Sequence, residues 1–304
     1  MAPKSAFAVV SQLAAHADGA FRGTHAVSLG VSRDQLARLR AQGVIKRVLP
    51  DTYTLTAVRP SHAQRLRAAL LWAGNNTAAA GRSAGQVYAL EGVAAPRPEI
   101  AVERPRSPRH PAVVTITTRD VASLMLRTNR GVRVTGPEAT LLRLAEVLGG
   151  EAFEIACEDA RRRHLTSVAA LRAYLCRFGR PGRPGVTALR ALLDQLDPHH
   201  PARSTLEVKT RLLLTANGIT DYLRERPLEW EGREFWYDFA FERSRVILET
   251  NGRRWHDDPT DYERDNEKWS VPARHGYRLV LATWDKVVRH PGELVEELRT
   301  TLAT

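Results

Sequence analysis

The sequence predicts a multidomain α/β protein. Its 304 residues are enough for two or three domains of roughly 100–200 residues each. Helical and strand patterns alternate along the chain, and breaks rich in Gly or Pro interrupt it at residues 179–185 and 197–201. Five of the six tryptophans follow the second break, which indicates a separate core. We therefore expect domains at residues 1–60, 61–178 and 204–304, with a hinge and linker segment at 179–203.

Residues 1–60 show the element order of a winged helix-turn-helix. Apolar residues recur at helical spacing near the start, and Ser32 is placed to cap a later helix, Arg33–Gln42. Two short strands at residues 45–49 and 52–55 follow as the wing. The alternative is a small helical domain with a solvated basic face, but helix order and wing together favour DNA binding. The candidate DNA contacts on the recognition helix and wing are Arg33, Gln35, Arg38, Arg40, Lys46 and Arg47.

The composition is that of an ordinary globular protein with a basic surface. The formal net charge is +11, with 45 Lys or Arg against 34 Asp or Glu. Such a charge attracts nucleic acid, although an arginine-rich composition also follows from a GC-rich genome. No apolar run approaches the roughly 18 residues that a membrane span requires. Two cysteines are too few for a disulfide scaffold. We expect a cytoplasmic protein with no membrane partner.

Residues 61–178 alternate between helical and extended patterns, and no cluster there has catalytic spacing. This region is interpreted as a mixed α/β connecting domain. Helices are expected at 63–73, 78–90 (interrupted at Gly81), 138–148, 153–163 and 168–178, and strands at 99–102, 113–117 and 131–134.

Two acidic residues lie in a predicted β-hairpin of the last domain. Asp238 lies in an alternating first strand, and Glu249 and Asn251 share one face of the second strand, Val246–Asn251. The opposite face of the first strand is expected to carry four aromatic residues: Phe235, Tyr237, Phe239 and Phe241.

The length of the turn decides whether these carboxylates meet. If Glu242 and Arg245 flank a two-residue loop, Asp238 lies directly opposite Glu249 and both side chains leave the same face. Two carboxylates at such a short distance repel each other unless a cation lies between them, and Mg²⁺ prefers oxygen ligands. The hairpin therefore predicts a metal site, which a one-residue slip of register would abolish.

These residues resemble the core of a nuclease superfamily. Asp238, followed after ten residues by Glu249-Thr250-Asn251, resembles the D…ExK motif of the PD-(D/E)XK nucleases. Residues 247–256 are similar to the Vsr-like branch, the very-short-patch-repair endonucleases. The resemblance covers about residues 204–302. It implies a restriction-endonuclease-like α/β domain with a central mixed sheet, holding Mg or Mn through Asp238, Glu249 and the carbonyl of Thr250. Glu207 matches an acidic residue that some members carry on the preceding helix.

Asn251 departs from the motif, because it occupies the lysine position of the catalytic set. An amide supplies neither a cation nor a general base. Some Vsr-like members use a nearby histidine instead, which assigns acid/base catalysis to His256. Packing against Trp255 is the alternative role of His256. Arg253 and Arg254 are candidates to hold a phosphate.

The first domain is similar to the winged-helix domain of AbiEi-type antitoxins, which are commonly joined to this nuclease-like domain. Together the two resemblances predict a metal-dependent DNA endonuclease that hydrolyses phosphodiester bonds and is targeted to double-stranded DNA by a winged helix. Asn251 keeps an alternative open: a non-catalytic DNA-binding transcriptional regulator or antitoxin-like repressor with a degenerate nuclease domain. A second copy of the chain and a toxin protein are further candidate partners.

Overall fold

The computed structural model describes residues 5–196, 202, 204–251 and 259–304 (for 259–265, the backbone). It divides into two units, Met1–Leu196 and Asp197–Thr304. The predicted α/β class is confirmed, because helices alternate with sheets that contain both parallel and antiparallel strand pairs. None of the helices in these ranges is long and apolar enough to cross a membrane.

The first unit begins with helices packed on an antiparallel sheet of order β1-β3-β2. Its elements are α1 (Ala6–Ala15), β1 (Ala20–Arg22), α2 (Gly23–Ser28), α3 (Arg33–Ala41), β2 (Ile45–Leu49) and β3 (Thr52–Leu55). Ser32 caps α3 as expected: its hydroxyl accepts from the N–H of Gln35 at 3.1 Å, and the Gln35 side chain accepts from the N–H of Ser32 at 2.8 Å. Leu36 and Leu39 are buried beneath α3. This is the element order of a winged helix-turn-helix.

Asp51 ties the turn of the wing to the start of α2. Its carboxylate accepts from the N–H of Thr24 at 3.0 Å and from the Thr24 hydroxyl at 2.7 Å, and it pairs with Arg22 at 3.2 Å. A Cβ at Gly23 would lie 2.6 Å from a carboxylate oxygen of Asp51, so a larger residue would displace this carboxylate from its hydrogen bonds.

The rest of the first unit surrounds a mixed sheet of order β6-β5-β4-β8-β7. Its helices are α4 (His62–Ala73), α5 (Gly81–Val87), α6 (Pro137–Val147), α7 (Gly150–Arg162), α8 (Val168–Phe178) and α9 (Val186–Leu193). Its strands are β4 (Thr77–Ala79), β5 (Glu99–Glu103), β6 (Val114–Thr118), β7 (Arg127–Asn129) and β8 (Val132–Val134). A 3-10 helix, Ala122–Leu124, precedes β7.

Two stretches of this unit differ from the sequence-based expectation. Ala78 and Ala79, expected in a helix, form the central strand β4, because pairing with β5 and β8 outweighs the helix propensity of alanine. Residues 186–193, expected in the hinge, form α9, whose apolar side chains are buried in the core. Hydrophobic burial of this face explains why the segment packs rather than remaining a linker.

The second unit is built on a mixed sheet of order β12-β11-β10-β9, as the resemblance implies. Its elements are α10 (Thr205–Ala216), β9 (Leu223–Trp230), β10 (Arg233–Phe241), β11 (Val246–Asn251), α11 (Pro259–Arg274), β12 (Arg278–Thr283), α12 (Trp284–Val288) and α13 (Pro291–Ala303). Strands β11 and β12 are parallel, and the other pairs are antiparallel. Pro227 lies in β9, where an edge strand tolerates its missing N–H.

The four aromatic residues of β10 do not share one face, so that expectation is wrong. Phe239 and Phe241 pack with Leu206 of α10, whereas Phe235 and Tyr237 pack in another cluster with Val271 of α11. The alternation of side chains between the two faces of β10 changes at Asp238. The β9–β10 pairing omits Asp238 and Glu225, and Glu225 has a positive φ of 53°. This irregularity interrupts the period of two that the prediction assumed.

Candidate active site and nucleic-acid interface

The predicted register of β10 and β11 is confirmed. Phe239 faces Leu248 and Phe241 faces Val246, as this register requires, and the ladder ends at Phe239. Beyond it, hydrogen bonds to side chains rather than to backbone groups link the two strands at Asp238 and Glu249. The N–H of Asp238 donates to the Glu249 carboxylate at 3.1 Å. In the other direction, the N–H of Thr250 donates to the Asp238 carboxylate at 2.8 Å, and the Thr250 hydroxyl donates to the same oxygen. Each strand thus holds the carboxylate of the other by hydrogen bonds.

Asp238 also meets two other buried carboxylates, and we call the three together the acidic cluster: Glu207, Glu225 and Asp238. One oxygen from each lies within 4.8 Å of the others. Glu207 comes from the first turn of α10, which Ser204 caps by accepting from the N–H of Glu207 at 3.1 Å. The guanidinium of Arg224 lies 2.8 Å from a Glu207 oxygen and offsets part of the charge.

Glu249 lies outside the acidic cluster and pairs instead with the Lys268 ammonium of α11. Burial and, to a smaller extent, the negative charge of Asp238 raise the pKa of Glu249 to about 7, against the opposing effect of Lys268. Lys268 is held in turn by Tyr237, whose hydroxyl donates to the Lys268 carbonyl at 2.7 Å. Burial also raises the pKa of Tyr237 above its usual range, so this donor keeps its proton.

A hard divalent cation fits the chemistry of these donors. Carboxylate oxygens are the ligands that Mg²⁺ and Mn²⁺ favour, and the acidic cluster offers three of them from two strands and a helix. Within the described part of the chain, Arg224 pairs with Glu207 and Lys268 pairs with Glu249. Carboxylates buried this close together favour a bound cation, because their like charges repel each other.

The other predicted site residues have different places. Thr250 and Asn251 end β11, and Asn251 faces Thr283 of β12. His256, Arg253 and Arg254 lie outside the described residues. The metal-holding pair of Asp238 and Glu249 stays a prediction. Among the described residues, the three carboxylates that lie within mutual reach are Glu207, Glu225 and Asp238.

Sequence reasoning missed two residues of this site, Glu225 and Lys268. Glu225 is one of three consecutive charged residues before Pro227, a pattern typical of a loop or a polar edge strand. Lys268 is 19 residues from Glu249 along the chain. The sequence feature that could have pointed to Lys268 is its helical segment, which follows the Glu249-Thr250-Asn251 motif and carries charges of both signs.

The predicted DNA-binding residues of the winged helix are all on its surface: Arg33, Gln35, Arg38, Arg40, Lys46 and Arg47 are exposed. Arg33, Arg40 and Arg47 line a common cleft of about 610 Å³, which we call the recognition cleft. Gln35 differs from the others, because its side-chain carbonyl is engaged in the cap of α3.

The chain is similar to a small set of known proteins. No family model matches it. Two proteins of Mycobacterium tuberculosis, Uncharacterized protein MT2308 of strain CDC 1551 / Oshkosh and Uncharacterized protein Rv2248 of strain ATCC 25618 / H37Rv, are each 27% identical over 193 residues. Each match covers 60% of this chain and 69% of the relative.

Two solved structures are also similar. The crystal structure of the RV2827C protein from Mycobacterium tuberculosis has a TM-score of 0.45 and 21% identity, covering 66% of this chain and 78% of that chain. The catalytic domain of the homing endonuclease I-Bth0305I has a TM-score of 0.26 and 19% identity, covering 33% of this chain and 95% of that chain. At these TM-scores, neither structural similarity supports an inference about the function of this chain.

Proposed function

We propose that residues 204–304 form a divalent-metal-dependent DNA endonuclease and that the winged helix binds double-stranded DNA. The acidic cluster is the observation that carries the proposal, since its three buried carboxylates lie within 4.8 Å of one another. Like charges buried together are unfavourable unless a cation offsets them. The arrangement is suited to a divalent ion rather than to a role in packing.

The described residues divide the chemistry between them. Glu207, Glu225 and Asp238 would hold the ion, which when bound offsets charge on a phosphate and makes a water more acidic. Glu249 is suited to accept a proton near neutral pH, because burial raises its pKa to about 7. Lys268 contacts Glu249 and supplies the cation that the amide of Asn251 lacks.

The roles assigned to His256, Arg253 and Arg254 remain part of the proposal. Lys268 is a second candidate for the role of the motif lysine that Asn251 replaces. His256 and Lys268 are therefore alternative assignments for the same role. A positioned acid or base contributes typically about 100–10,000-fold to a rate. His256→Ala and Lys268→Met should therefore separate them, because only the residue that acts in the reaction should change the cleavage rate by that factor.

One arrangement favours the alternative of a non-catalytic DNA-binding regulator. Arg224 neutralises Glu207, and Lys268 neutralises Glu249, without any metal. A nuclease domain that had lost its activity would be stabilised by such internal pairs. In that case the acidic residues would maintain the fold, and the winged helix would carry the function.

A plasmid-cleavage assay on the full chain separates these proposals. Supercoiled plasmid is incubated with Mg²⁺, Mn²⁺ or EDTA, and the relaxed and linear products are quantified. Wild type should cleave with Mn²⁺ or Mg²⁺ and not with EDTA, and Asp238→Asn and Glu225→Gln should lose nearly all activity. Glu231→Gln removes an exposed carboxylate in the same unit and serves as the matched control.

Two outcomes would contradict the nuclease proposal. Wild type that is inert with both ions would favour the regulator. Cleavage that persists unchanged in Asp238→Asn would mean that the acidic cluster does not perform the reaction.

A further inference from the structure

A basic crevice runs beside the winged helix within the first unit. Its volume is about 980 Å³, and its lining includes Arg22, Arg67 and Arg133 together with His16 and His25. No carboxylate belongs to the described residues that line it. Because a crevice lined by one sign of charge concentrates the field, it attracts polyanions.

Part of this positive charge is already balanced by neighbouring residues. Arg22 pairs with Asp51 and Arg67 pairs with Asp18, each at 3.2 Å. The uncompensated charge comes from the β7–β8 hairpin, which carries Arg127, Arg130 and Arg133 on its exposed surface: within the described part of the chain, no carboxylate forms an ion pair with these three.

The β7–β8 hairpin is a rigid support for these arginines. Asn129 faces Val132 across a two-residue turn, in which Arg130 has φ 49 and Gly131 has φ 68, the backbone of a tight hairpin. Arg67 of α4 donates to the Gly131 carbonyl at 2.7 Å, and its pair with Asp18 connects the turn to the winged helix. The cationic side chains are thus held at a fixed place beside the crevice.

The crevice continues the surface already proposed to bind DNA. Thr24 lines both the crevice and the recognition cleft, where Arg33, Arg40 and Arg47 are found. We propose that the β7–β8 hairpin is a second contact element for duplex DNA, with Arg130 and Arg133 on the phosphate backbone. This inference rests on the proposed DNA binding by the winged helix. Phosphate contacts of this kind position a protein on the duplex without reading its sequence.

The salt dependence of binding measures the number of such contacts. Log affinity falls linearly with log salt concentration, and each phosphate contact adds about 0.9 to the steepness of this fall. Losing two contacts therefore makes the slope shallower by about 1.8. Between 50 and 200 mM KCl, the loss of affinity with salt should therefore be about 12-fold smaller for a variant without both arginines.

The test uses the full chain and a fluorescein-labelled, mixed-sequence 30-base-pair duplex in EDTA, with affinity followed by fluorescence anisotropy. The hairpin variant is Arg130→Gln/Arg133→Gln. Its matched control, Arg172→Gln/Arg177→Gln, removes two exposed arginines from α8. A recognition-helix variant, Arg33→Gln/Arg40→Gln, tests the underlying proposal, and circular dichroism checks that every variant is folded.

The expected result is a lower slope for both the hairpin variant and the recognition-helix variant, with the control equal to wild type. A wild-type slope for the hairpin variant, beside a reduced slope for the recognition-helix variant, overturns the inference and leaves the winged-helix proposal intact. Equal reductions in the hairpin variant and the α8 control overturn it as well, since net charge alone would then explain the effect. Failure of wild type to bind the duplex at 50 mM KCl overturns both.

Discussion

Replacing Glu249 by glutamine should make the second unit less sensitive to pH. Burial, together with the charge of Asp238, raises the pKa of Glu249 from 4.5 to about 7. The folded state therefore binds this proton more tightly than the unfolded state does. The stability that this group contributes is fully present below pH 4.5, and it is lost as the pH rises to about 7.

The size of the effect follows from the shift. One pKa unit corresponds to about 1.4 kcal/mol, so a shift from 4.5 to about 7 is equivalent to roughly 3 kcal/mol. Glu249 is 6% exposed, so solvent screening removes little of this. Between pH 4 and pH 8, the free energy of unfolding of wild type should therefore fall by about 3 kcal/mol more than that of Glu249→Gln.

Urea unfolding in EDTA, from pH 4 to pH 8, measures this difference. Tryptophan fluorescence reports mainly the second unit, which contains five of the six tryptophans. Glu296→Gln, which removes an exposed carboxylate of α13, is the control. A constant difference between Glu249→Gln and wild type across this range would show that Glu249 does not titrate differently on folding, and the reasoning would be refuted.

Three further changes test other parts of the structure. Lys268→Met removes the charge that lowers the pKa of Glu249, so the loss of stability should move to higher pH in the same urea titration, and an unmoved profile would contradict the pairing. Asp51→Ala removes the acceptor for the Thr24 N–H and should destabilise the first unit by about 1–2 kcal/mol in urea unfolding followed by circular dichroism; no loss would mean that the wing turn is not held there. Leu189→Ala should cost about 2–5 kcal/mol by the same measurement, because Leu189 of α9 is fully buried, and a cost near zero would restore the hinge interpretation.

The sequence predicted those elements whose determinants are local. Ser32 and Gln35 lie three residues apart, so the cap of α3 could be recognised from spacing alone. The β10–β11 register followed from the turn between Glu242 and Arg245, because hairpin pairing propagates from its turn. The strand β4 could not be predicted this way, since alanines favour a helix until neighbouring strands pair with them.

The candidate site was only partly predictable, because half of it depends on distant packing. Asp238, Glu249 and Glu207 were found through the hairpin and the resemblance. Glu225 reaches Asp238 from an edge strand, in a backbone conformation with φ 53 that no periodic pattern indicates. Lys268 reaches Glu249 because Val271 packs α11 against the sheet. That contact depends on the fold of the whole unit rather than on any short spacing.

Mn²⁺ binding to the full chain, followed by electron paramagnetic resonance of the free ion, tests the central claim most directly. The acidic cluster predicts a saturable Mn²⁺ site in wild type that Asp238→Asn and Glu225→Gln weaken strongly, while Glu231→Gln retains it. Thermal unfolding without metal would confirm that these variants are folded. Equal Mn²⁺ binding by wild type and both cluster variants, or none by wild type, would contradict the account.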